Sequence, residues 1–98
     1  MKPLQSEFKK NSYIHKVLWR DEKYAITELT DEDTNRVACY EAFEIIKNKA
    51  RTTYLMTTEA FESTPSNEQW GTKGLTAHSF EEAKNKINKL KSKKKQNG

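Results

Sequence analysis

No run of apolar side chains in these 98 residues approaches the roughly 18 to 20 needed to span a bilayer. The opening MKPLQSEFKK also lacks the apolar segment of a secretory signal, so the expected setting is cytoplasmic. A single cysteine, Cys39, excludes an intramolecular disulfide and leaves no second thiol for a metal pair. It is expected as a small packing residue in a strand. Histidine is nearly as scarce: His15 and His78 fall in different expected elements, and neither has zinc-ligand spacing. With glycine only at Gly71, Gly74 and Gly98, there is no glycine-rich phosphate cradle. No Ser, His and Asp grouping carries a nucleophile motif, and Glu41 and Glu44 have no local cause for a shifted pKa. Neither catalysis nor a cofactor nor a bound metal is therefore expected.

The acidic loop Asp31-Glu-Asp-Thr-Asn35 has oxygen donors at the first, third and fifth positions of a calcium loop. Arg36 stands where the sharp turn needs Gly, however, and Ala42 where a bidentate Glu belongs. A hairpin turn kept in water by its carboxylates accounts for the same residues.

What the chain does have is charge and aromatics. One third of it is charged and 34% is hydrophobic, with four Tyr, four Phe and two Trp. That suffices for one small domain with a thin core built on its rings, better as one sheet covered by one helix than as a sandwich. The net charge of +4 is unevenly laid out. Seven lysines (Lys84, Lys86, Lys89, Lys91, Lys93, Lys94 and Lys95) and no acid follow Ala83, leaving 11 basic and 14 acidic side chains, net −3, in residues 1–83.

Residues 1–12 are polar and weakly periodic and are expected as a flexible arm in which Leu4 and Phe8 touch the core. From Tyr13 the spacing turns to period two. YIHKVLWR alternates Tyr13, His15, Val17 and Trp19 against Ile14, Lys16, Leu18 and Arg20, and KYAITEL continues the pattern after a short Arg20–Lys23 link. RVACYEAFEIIKN puts Val37, Cys39, Glu41, Phe43 and Ile45 on one face. Helical spacing also fits it, but its β-branched and aromatic content favours a strand. TTYLMTTEAFE is expected as a fourth strand. Short links between successive strands imply an antiparallel meander of three to four strands.

The last element is a helix. Phe80, Ala83, Ile87 and Leu90 make one stripe, Ser79 and Glu82 form a capping box, and the acids Glu81 and Glu82 sit in the first turn ahead of the lysines. The fold class is thus α+β, a domain over residues 13–91 with a C-terminal helix on the sheet, followed by a disordered lysine-rich tail over residues 92–98. The crossover STPSNEQWGTKG reads as a specified loop: Pro65 opens a helical turn, Gly71 supplies a left-handed stop and Gly74 a second change of direction. Trp70 plugs the edge of the core, and Asn67, Glu68, Gln69 and Trp70 form a candidate protein-contact loop.

The motifs Y-E-x-F-x-I at Tyr40–Ile45, P-S-N-E-x-W-G at Pro65–Gly71 and S-F-E-E-A at Ser79–Ala83 together resemble small proteins encoded by phages and integrative elements. The resemblance implies a mobile-element accessory protein that works by binding, and assigns no residue a role. The capped S-F-E-E-A helix after a sheet also looks like the DNA-binding domains of tyrosine integrases, and Gly74–Lys84 like the start of the last helix in double-stranded RNA-binding domains. The leading expectation is a non-catalytic module with a protein partner, bound through a sheet edge or the uncovered sheet face. The alternative is a nucleic-acid binder using the seven lysines with sheet aromatics, against which stands the net negative body.

Overall fold

The computed structural model describes residues 2–96. Nine strands precede one helix: β1 Glu7–Lys10, β2 Tyr13–Arg20, β3 Tyr24–Asp31, β4 Val37–Glu44, β5 Ile46–Asn48, β6 Arg51–Thr52, β7 Thr57–Thr58, β8 Phe61–Ser63, β9 Gly74–Ala77 and α1 Phe80–Gln96. The main sheet is antiparallel throughout, in the order β1-β2-β3-β4-β9. An α+β meander under a C-terminal helix is what the periodicity implies, but the sheet has five strands, and its last one is not TTYLMTTEAFE. That segment breaks into β6, β7 and β8, which pair in two small ladders, β6 with β7 and β5 with β8, outside the main sheet. Its apolar residues never alternate long enough to offer a buried face, and Tyr54-Leu55 closes a tight turn between Thr53 and Met56, whose backbones bond reciprocally.

The flexible arm is also corrected. Glu7–Lys10 pairs with β2 across a two-residue loop, Asn11-Ser12, in which both residues have positive φ, 55° and 68°. This is the hairpin twist that matches strand twist, and asparagine tolerates it. Before β1, Lys2 N–H donates to the Ala60 carbonyl and Glu62 N–H to the Lys2 carbonyl, pinning the start of the chain beside β8. Edge strands bury little, so a polar segment with one aromatic suffices for β1, and its charged residues keep that edge from pairing further.

The other turns hold themselves by side chains. Asp21 Oδ1 accepts from the Lys23 and Tyr24 amides at 2.8 and 2.6 Å, and Asp31 Oδ1 from the Asp33 and Thr34 amides at 2.8 and 3.2 Å. Burial pushes the Asp21 carboxyl up, but those two amides together with Lys91 and Arg20 hold it below the usual range.

The helix covers only part of the sheet. Tyr24, Ile26, Ala42 and Ala77 meet Ala83, Ile87 and Leu90, with Tyr40, Leu75 and Phe80 around them. At the helix start Glu82 N–H donates to Ser79 Oγ (3.1 Å), while the Glu82 carboxylate accepts from the His78 amide (3.0 Å), one residue further back than a capping box places it. The expected tail is helical through Gln96; Asn97 and Gly98 lie outside the described residues. An irregularity between Val17 and Trp19 moves Trp19 to the face of Ile26, but the helix packs chiefly on β4, β9 and β3, and Trp19 and Leu18 on β2 stay 37% and 43% exposed.

Candidate functional site

The opposite face of the sheet carries Phe8, Tyr13, His15, Leu29, Cys39, Glu41 and Phe43, as the register dictates. It was expected open. Residues 45–73 fold over half of it: Ile45 and Trp70, with Leu4, pack on Ala25 and Phe43. Trp70 is therefore a plug, and Gly74 is the platform beneath it. A Cβ there would run into the indole ring, so Gly74 provides close approach where a change of direction was expected, while Gly71 at φ 91° is the left-handed stop. The short helical turn spans Asn67–Gln69 and begins after Ser66, not at Pro65: Gln69 Oε1 accepts from Ser66 N–H and Oγ–H at 3.0 and 3.3 Å. Gln69 thus holds its own loop together, Glu68 is exposed, and the Asn67 side chain lies outside the described residues.

The flap made by residues 45–73 is anchored by Glu62. Its carboxylate, 7% exposed, accepts from Arg20 Nη1 and Nη2 (2.7 and 3.1 Å), Lys47 Nζ (3.1 Å) and the Leu4 amide (2.9 Å). Arg20 above all, with the Leu4 amide and Lys47, lowers its pKa to about 2 against the cost of burial. One side chain thereby ties the start of the chain, β2, β5 and β8 together.

From that anchor a finger leaves the body. Every residue from Lys49 to Glu59 is exposed, and at the hairpin tip Tyr54, Leu55 and Met56 are 98%, 85% and 69% exposed. Three successive apolar side chains in water contribute nothing to the core. Lys49 and Arg51 precede them and Glu59 follows.

Between this face and the flap lies a cleft of about 300 Å³, with Lys10, Tyr13, His15 and Glu41 on its polar side and Phe43 and Trp70 on its apolar side. His15 is buried, stacked on Phe8 at 4.9 Å, with Nε2 3.3 Å from the Lys10 carbonyl and Nδ1 3.4 Å from Glu41 Oε1. Burial lowers the His15 pKa and raises that of Glu41, so the contact is not a formed ion pair. Cys39, half-buried in the same wall, has its thiol pushed up by burial and by Glu41. The strand pattern had already placed Cys39, Glu41 and Phe43 on one face and Tyr13 and His15 on another; only the register joins them.

The helix lysines do not make one surface. Lys84 Nζ lies over the Phe80 ring at 5.7 Å, and Lys91 Nζ over Tyr24 at 5.4 Å and 4.0 Å from Asp21 Oδ2. Lys86 and Lys89 fall on the other flank of the buried stripe. The side chains of Lys93, Lys94 and Lys95 lie outside the described residues. Among the described residues no group of three or more His, Cys, Asp or Glu could hold a metal ion, and no helix is long and apolar enough to cross a membrane.

Fold and surfaces together define a small α+β domain in which, among the described residues, one α-helix packs on a five-stranded sheet and two small ladders form a flap with a projecting hairpin. Compared with known proteins, the chain matches no family model, no curated protein and no solved structure.

Proposed function

We propose that the chain is a small non-catalytic binding module whose contact with a protein partner is made by the hairpin finger. The observation that carries it is the Tyr54-Leu55-Met56 tip: large apolar side chains held in water on a hairpin anchored through Glu62. Contiguous exposed apolar side chains mark interaction surfaces, and tyrosine and methionine are enriched at the centres of interfaces. With Lys49 and Arg51 flanking the tip, the complementary surface is an apolar pocket with an acidic rim. The Asn67–Trp70 loop is assigned to holding the flap, since Gln69 and Trp70 are committed inside it. A cytoplasmic, mobile-element setting belongs to the same proposal; the cytoplasmic part is supported by the single cysteine, and the mobile-element part rests on the motif resemblance alone.

The test is a Tyr54→Ser, Leu55→Ser, Met56→Ser variant of the full chain beside the parent protein. The variant should melt within a few degrees of the parent and lose a defined partner captured from the native host. A large fall in melting temperature would make the tip structural, and unchanged capture would move the contact elsewhere. Binding of DNA or RNA at micromolar affinity, with a salt slope flattened by deleting residues 91–98, would favour the lysine helix instead.

A further inference from the structure

The cleft opposite the helix is independent of the finger, and its chemistry is specific. His15 Nε2 faces the Lys10 carbonyl, which can only accept, so Nε2 carries the ring proton and the neutral imidazole presents Nδ1 as an acceptor. Nδ1 in turn faces Glu41 Oε1 at 3.4 Å. Two acceptors therefore oppose each other, and Nδ1 has no hydrogen-bond partner among the described residues although His15 is 4% exposed. Buried polar atoms in such a position call for a donor. A proton on Glu41 is one candidate, but a ligand N–H group can serve both atoms at once.

The remaining walls restrict that ligand. The Lys10 ammonium, bonded to Thr64 Oγ1 at 3.2 Å, forms no ion pair with Glu41, yet its charge reaches both Glu41 and His15. A cation alone would be repelled by Lys10, and an anion alone by Glu41 in its ionised form. Phe43, Leu29, Pro65 and Trp70 supply an apolar end. The volume, about 300 Å³, is at the lower limit for small-molecule sites. We propose that this cleft binds a free α-amino acid with an apolar side chain, its ammonium between Glu41 and His15 Nδ1, its carboxylate toward Lys10, its side chain toward Phe43 and Trp70.

The probes are L-phenylalanine, 2-phenylethylamine and 3-phenylpropanoate, titrated into the full chain and followed by NMR of the His15 ring nitrogens and the Trp70 indole. L-Phenylalanine should bind at least about tenfold more tightly than either single-ended analogue and move both signals. Glu41→Gln places an amide N–H₂ against Nδ1: the protein should stay folded with an equal or higher melting temperature, and L-phenylalanine affinity should fall at least about tenfold. Lys10→Met keeps the backbone carbonyl that holds Nε2 and should reduce L-phenylalanine to the affinity of 2-phenylethylamine. The proposal is overturned if L-phenylalanine binds no better than the single-ended probes, if both variants bind it as the parent does, or if His15 responds to pH but to none of the three compounds.

Discussion

Replacing Glu62 by Gln keeps the volume of the side chain and removes the charge on which Arg20, Lys47 and the Leu4 amide converge. A carboxyl whose pKa falls from 4.5 to about 2 on folding stabilises the native state by about 3 kcal/mol. Water reaches Arg20, whose side chain is 32% exposed, which reduces the figure to about 2 kcal/mol. For a domain of this size that is about 10 °C in melting temperature near neutral pH. The folded pKa is depressed, so the contribution is complete above pH 4.5 and is lost as pH falls toward 2. Thermal melts of the parent and Glu62→Gln from pH 7 to pH 2 should therefore start about 10 °C apart and converge in acid. Parallel curves at all pH values would refute the charge-based anchor, and coincident curves would mean that Glu62 does not hold the flap at all.

Four further outcomes follow from the packing, the helix cap and the thiol's burial. Trp70→Ala opens the cluster of Ala25, Phe43 and Ile45 and should cost about 3 kcal/mol, while Gly74→Ala, which drives a methyl group into the Trp70 ring, should cost about 2 kcal/mol; denaturant melts check both. Ser79→Ala removes the Oγ acceptor of the Glu82 amide and should cost about 1 kcal/mol, with amide exchange faster in the first helical turn. The Cys39 thiol, pushed up in pKa and half-buried, should react with iodoacetamide at neutral pH far more slowly than after unfolding, and equal rates would contradict its placement.

Much of the scaffold was legible before the structure. Period-two runs in residues 13–29 and 37–44 reported strands because each has one face on a core, and the Phe80–Leu90 stripe with Ser79 reported a capped helix for the same reason. Where burial is slight, pattern fails. β1 has only Phe8 to bury, and its signal was the Asn11-Ser12 loop between two short alternating runs. TTYLMTTEAFE, residues 52–62, looked apolar enough for a strand, yet Tyr54, Leu55 and Met56 are exposed, and sequence alone does not separate an apolar residue in a core from one presented on a finger. The cleft needed register: His15 is brought to Cys39 only through Leu29 on the strand between them, with Glu41 opposite the next residue of that face, Thr27. In the loop 65–74 Gly71 is the left-handed stop that its place after Trp70 implies, whereas Gly74 has a task other than the expected change of direction, because which glycine lies under Trp70 depends on the fold of the whole crossover.

The central claim, that the finger is the surface by which this module meets a protein, is most directly tested by a photo-crosslinking amino acid placed at position 55 and, in a second preparation, at position 18, both in the full chain expressed in its native host. Leu55 and Leu18 are both exposed apolar residues, but only the first is on the finger. The account predicts a single dominant protein adduct from position 55, absent from position 18 and lost in the variant with Tyr54→Ser and Met56→Ser. Equal adducts from both positions, or adducts of position 55 to lipid or nucleic acid with none to protein, would contradict it.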